Sequence, residues 1–132
     1  MKTGAFILLI LFSDICFSQP YYFRHYQVED GLSNNTVGCV LQDHKGFLWF
    51  GTKDGLNRFD GYTFKVFQNE GDSLHGIGSN FIISLHEDRK NQLWVGTDRG
   101  LYQYNTQKED FEIEQAVPVN EIRGILSDDR NR

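Results

Sequence analysis

Cysteine, basic charge and long apolar runs are all scarce in this chain, and each shortage removes a class of explanation. Only two cysteines occur in 132 residues, Cys16 and Cys39, so no disulfide framework can carry the fold and stability must come from packing. Cys39 reads as a small buried apolar residue rather than a reactive thiol. Acidic side chains outnumber basic ones, 18 to 13, for a formal net charge of −5. A mildly acidic chain offers no electrostatic ground for binding nucleic acid or anionic lipid. The four histidines, His25, His44, His75 and His86, are too scattered for a metal-ligand motif. No stretch sustains the period of an amphipathic helix.

The apolar run "GAFILLILF" (residues 4–12) is far shorter than the roughly 20 residues of a membrane-crossing helix. It follows Lys2 and precedes the more polar "SDICFS", an order that predicts a secretory signal peptide over residues 1–18, cleaved after Ser18. Ile15 before Cys16 counts against a lipoprotein form. Cleavage removes Lys2 and Asp14 together, so the mature chain keeps its net charge of −5.

What the chain does have is a repeat. "NTVGCVLQDHKGFLWFGTKDGLNRFD" from Asn35 aligns without a gap with "NFIISLHEDRKNQLWVGTDRGLYQYN" from Asn80, pairing Asp43 with Asp88, Trp49 with Trp94, Gly51-Thr52 with Gly96-Thr97 and Gly55 with Gly100, always 45 residues apart. A third copy begins at "NEIRGILSDDRN", where Asn120 follows Asn80 by 40 residues. Within each copy, "TVGCVLQ" or "FIISLHE" reads as a strand apolar on both faces. "DHKG" or "DRKN" reads as a turn opened by Asp and closed by Gly46 or Asn91 at positive φ. "FLWFGT" or "QLWVGT" is the second strand, and the turn ending in Gly55 or Gly100 leads into the third. "TFKVFQ" or "DFEIE" is the fourth.

Four short antiparallel strands in repeats of about 40–45 residues predict an all-β fold of β-propeller blades, partial in this chain, over the competing β-solenoid. The expected organisation is an N-terminal outer, closing strand and lead-in over 19–34, blade 1 over 35–79, blade 2 over 80–119 and the start of blade 3 over 120–132. "FRHYQ" (23–27) resembles "FKVFQ" (64–68) in aromatic spacing and is expected to pair with the last blade of a closed ring, removing exposed sheet edges. Each blade buries its faces only against neighbours, so residues 19–132 alone are expected to fold poorly.

The run "VEDGLSNNTVGCVLQDHKGFLWFGTKDGLNRFDGYTFKVF" (28–67) resembles the two-component regulator propeller repeat, and the likeness extends over residues 22–132. Leader, "DGLSNN" and tandem "LWFGT..GLNRFD" units together resemble the N-terminal region of hybrid two-component sensor proteins. That resemblance implies periplasmic propellers and a β-sandwich, a single membrane-spanning helix, and cytoplasmic histidine kinase, receiver and helix-turn-helix parts. It also implies sensing of oligosaccharides, or of another small extracellular ligand, and control of polysaccharide-utilisation genes, with the full-length receptor expected to be a homodimer anchored in the inner membrane. The kinase histidine and ATP-site motifs lie outside this sequence, so no catalytic residue and no cofactor is expected here. An exported propeller glycosidase or lyase is the alternative, as is the same sensor joined to another output such as a diguanylate cyclase.

Asp43 and Asp88 offer one carboxylate per turn, too few for a calcium loop, and are expected to cap their turns. Trp49 and Trp94 could stack on sugar rings, yet their recurrence predicts packing of blade against blade. Ligand contacts are expected instead in a loop that differs between copies, "NEGDSLHGIGSN" (69–80), with Asp72, Ser73, His75 and Ser79 as hydrogen-bonding candidates. Asn35, Asn80 and Asn120 repeat and are expected to be structural.

Overall fold

The computed structural model describes residues 19–71 and 76–128. Its regular elements are a 3-10 turn at Val28–Asp30 and eight strands: β1 (Val37–Gln42), β2 (Leu48–Thr52), β3 (Gly55–Phe59), β4 (Phe64–Phe67), β5 (Ile82–Glu87), β6 (Leu93–Thr97), β7 (Gly100–Asn105) and β8 (Asp110–Ile113). They form two four-stranded sheets, β1-β2-β3-β4 and β5-β6-β7-β8, antiparallel throughout. The fold is all-β, and the two sheets are propeller-type blades. They agree even in their irregularities, since the register of β1 on β2 shifts between Val37 and Cys39, and that of β5 on β6 between Ile82 and Ser84.

Turn chemistry sets the hairpins. Gly46 and Asn91 close the first turn of each blade at φ 89° and 62°, and Gly55 and Gly100 open the third strand at 128° and 121°. These are left-handed conformations that glycine, and next best asparagine, adopts at least cost.

The blades stack face to face. Alternation along the strands puts Leu41, Trp49 and Phe67 on one side of the first blade, against Leu93, Val95, Tyr102, Tyr104 and Phe111 of the second, and these residues form the core. Trp49 is 1% exposed, with its ring 4.9 Å from Tyr104 and 5.8 Å from Phe67. Gly51 makes the close approach possible, because a Cβ there would lie 2.6 Å from Ile82 Cγ2 and overlap Cys39 Sγ. Gly96 plays the same part against Ile122 at 2.8 Å, where the Ile122 amide donates to Thr97 O at 2.8 Å. Ile122 thus stands to the second blade as Ile82 stands to the first.

One expectation differs from the structure, for a physical reason. β1 is not buried on both faces, for Val37 and Val40 are 38% and 57% exposed, whereas their counterparts Ile82 and Leu85 lie in or against the core. Residues 23–27, expected to pair with the last blade of a closed ring, carry no strand pairing among the described residues, which include only the two sheets. A buried face needs a neighbouring sheet and a strand needs a hydrogen-bonded edge, and no other described strand stands on that side of the first blade.

Candidate functional site

Antiparallel order separates two rims. The β1–β2 and β3–β4 turns lie on one, and the β2–β3 turns together with the β4-to-β5 connection lie on the other. Each rim repeats its own chemistry from blade to blade.

On the first rim, Asp43 Oδ1 accepts the Lys45 and Phe47 amides, both at 2.9 Å, and Oδ2 accepts the Trp49 indole N–H at 2.8 Å. Asp88 repeats this with Lys90 at 2.8 Å, Gln92 at 3.0 Å and the Trp94 indole at 3.1 Å. Burial works to raise the Asp88 carboxyl, but the indole and amide donors outweigh it and hold the group below its ordinary range. A carboxylate that accepts three protein donors is committed to its turn, as expected. The indole bond is what sequence reasoning missed, although the constant six-residue interval from Asp to Trp in both copies was its signal.

The seam between blades on this rim is polar and closed. The His44 amide donates to both Glu87 carboxylate oxygens at 3.1 and 3.0 Å, and its ring Nδ1 lies 3.2 Å from Glu87 Oε1. Arg58 packs over the Phe47 ring at 4.8 Å, donates to Tyr104 Oη at 3.0 Å and pairs with Glu109 at 2.9 Å. Lys65 completes the clamp on Glu109. Donated bonds from Lys65 and Arg58 hold the Glu109 carboxyl below its ordinary range, while burial pushes the Tyr104 phenol up against the opposing charge of Arg58.

The second rim carries the predicted loop, and its base is pinned. The Asn69 amide donates to Asn80 Oδ1 at 2.6 Å, Asn69 Nδ2 donates to Gly78 O at 2.9 Å, and the Gly55 amide donates to Asn80 O at 2.8 Å. Of the four loop candidates, Asp72, Ser73 and His75 lie outside the described residues. Ser79 is buried at 7% exposure, donates to Asp98 Oδ1 and accepts the Phe81 amide at 3.1 Å. Asn34 holds the same place in the first copy, accepting the Thr36 amide at 2.7 Å and donating to Asp54 at 2.7 Å. The asparagine repeat is structural where it is described: Asn35 Oδ1 accepts the Val28 amide at 2.9 Å, as Asn80 accepts Asn69.

Beside the loop base is an open hollow of about 210 Å³ that includes Phe67, Glu70, Gly76, Ile77, Asp110 and Phe111 in its lining. Asp110 Oδ1 faces no hydrogen-bond partner there among the described residues. A second hollow of about 200 Å³, lined by Trp94, Leu101, Ile125 and Leu126, occupies the place on the second blade that Tyr104 fills against Trp49 on the first. It belongs to blade packing. No group of three or more His, Cys, Asp or Glu side chains is gathered for a metal among the described residues.

Comparison with known proteins places this geometry. The two-component regulator propeller family model matches residues 31–54 and 76–99, stretches that run from the loop through the first two strands of each blade. Histidine kinase P4 of Formosa agariphila is 41% identical over a 74-residue alignment, with 52% of this chain and 5% of that protein covered. The crystal structure of the extracellular domain of a hybrid two component system from B. thetaiotaomicron matches with a TM-score of 0.72 at 32% identity, covering 85% of this chain and 17% of that one. This chain therefore spans a small fraction of either relative. Its two blades, with their shared Asp turns and Leu-Trp-x-Gly-Thr strands, contain the two stretches that match the two-component regulator propeller model.

Proposed function

We propose that this chain is part of the periplasmic sensor propeller of a membrane-anchored hybrid two-component histidine kinase, exported by the signal peptide at residues 1–18. The observation that carries the reading is the pair of in-register family repeats, joined to 32% identity and a TM-score of 0.72 with an extracellular domain of such a system. The chain's role is binding and signalling. Its recurrent carboxylates are held by turn amides and indoles, which suits a scaffold, and a ligand need only prefer one receptor conformation to bias the attached kinase.

The ligand class we propose is an oligosaccharide, bound on the rim of the 69–80 connection, with polysaccharide-utilisation genes as the output and a homodimer as the working receptor. The support is chemical: the connection based on this rim does not repeat between copies and carries Asp72, Ser73 and His75 between glycines in its sequence, while the other rim is closed by blade-to-blade bonds. Calorimetric titration of the complete extracellular region against a broad oligosaccharide panel tests it. Saturable binding of one glycan class is the expected result, and silence across the panel removes the carbohydrate assignment.

A further inference from the structure

The lead-in to the first blade and the connection into the second correspond position by position. Leu32 and Ile77, 45 residues apart, are buried at 5% and 2% exposure, and the residue after each lies against the third strand of its blade. In the first copy the strand residue is Asn57, fully buried on β3. Its Oδ1 accepts the Ser33 amide at 2.8 Å, and its Nδ2 donates to Ser33 Oγ at 2.8 Å. In the second copy the strand residue is Tyr102 and the connection residue is Gly78. The longer side chain takes the space that the Ser33 side chain fills in the first copy, for a Cβ at Gly78 would overlap Tyr102 Oη and stand 2.8 Å from its Cζ. Burial pushes the Tyr102 phenol up, and a hydrogen bond with the Gly78 backbone works against it.

Strand and connection thus change as a pair, Asn57 with Ser33 and Tyr102 with Gly78. A side chain that only filled the core would make no such demand on the connection. Gly78 is not among the glycines at positive φ, so its missing Cβ makes room for the phenol rather than for an unusual backbone. The returning limb of the connection is held to the second blade at Gly78 and again one residue on, where Ser79 donates to Asp98. The first blade holds the same limb through the Asn69 amide on Asn80 Oδ1 at 2.6 Å and the Gly55 amide on Asn80 O at 2.8 Å.

We propose that Tyr102 is a positioning residue of the ligand rim: through the Gly78 backbone it fixes where the 69–80 connection leaves the second blade, and so where the polar groups of that connection stand. This rests on the reading of the connection as the place where a ligand binds. Tyr102 is itself 6% exposed, so its effect passes through the backbone it holds. Because both blades grip residues 78–80, a ligand that prefers one position of the limb also prefers one setting of the two blades.

Tyr102→Phe keeps the ring and removes the oxygen, and hydrogen exchange on the complete extracellular region reads the result. The amides of residues 76–80 should exchange up to about 10-fold faster, the worth of one lost hydrogen bond, while those of β6 and β7 keep their wild-type protection. Gly78→Ala, which pushes the limb off the phenol without altering Tyr102, should free the same amides. Calorimetric titration with the oligosaccharide panel adds a reading that a packing role would not move. A glycan that binds wild type should bind Tyr102→Phe several-fold more weakly, with β7 still protected. Wild-type exchange over 76–80 in Tyr102→Phe would overturn the inference, and so would unchanged glycan affinity beside faster exchange. Silence of the panel toward wild type would remove the carbohydrate reading alone, and the exchange result would then decide whether Tyr102 positions the connection.

Discussion

At the residue scale the repeat motif is a list of contacts, and each letter has a distinct cost of removal. Gly51→Ala must push Ile82 away from the strand that carries Cys39, and the expected loss is about 1–3 kcal/mol by overpacking. Gly46→Ala meets nothing within 4 Å, and only its positive φ is strained, for about 1 kcal/mol. Urea unfolding of the complete extracellular region should rank the two in that order. Arg58→Ala strips the cation from Phe47 and leaves the buried Tyr104 hydroxyl without its donor, a loss of about 1–3 kcal/mol, readable in the same titration. The Asp88 carboxyl is held below its ordinary value of 3.8 in the folded chain. Its stabilisation is therefore present above that pH and disappears as pH falls through the lower folded value. The melting-point gap between wild type and Asp88→Asn should be full at pH 7 and shrink below about pH 4. A gap that widens in acid would contradict this account of the turn.

At the element scale much of the blade was legible. Strand order, the Asp-opened turns and the positive-φ positions Gly46 and Asn91 follow from local chemistry, which acts within a few residues and repeats 45 residues later. The role of Gly51 was not legible, because its neighbour Ile82 is 31 positions away in sequence and only the stacking of sheets brings it close. The same holds for Arg58, whose partners Tyr104 and Glu109 belong to the next blade. Burial of β1 was overestimated because an apolar composition shows what a strand can bury and not which neighbour is there to cover it. Of the candidate site, Ser79 could be placed in sequence only as a polar loop residue. Its duty in holding the Phe81 amide and Asp98 is also Asn34's in the first copy, and a Ser-to-Asn change hides that correspondence.

At the scale of the whole molecule, stability is a nearest-neighbour property. One interface, between the first two blades, buries Trp49, Val95, Tyr104 and Phe111, while the outward faces keep Val37, Val40 and Phe81 exposed. A repeat array gains its cooperativity from such interfaces. Residues 19–132 expressed alone should therefore melt broadly, and a sharp cooperative transition of the monomeric fragment would show that one interface suffices. The proposed sensing on the rim opposite the Asp turns rests on a division in which repeated residues build the blades and the non-repeated loop is the proposed place for a ligand. The most direct test is the thermal melt of the complete extracellular region, wild type and Asp43→Ala, with and without the oligosaccharide selected by calorimetry. The account predicts a lower melting point for Asp43→Ala with the ligand-induced rise intact; an unchanged ligand-free melting point with the rise abolished would contradict it.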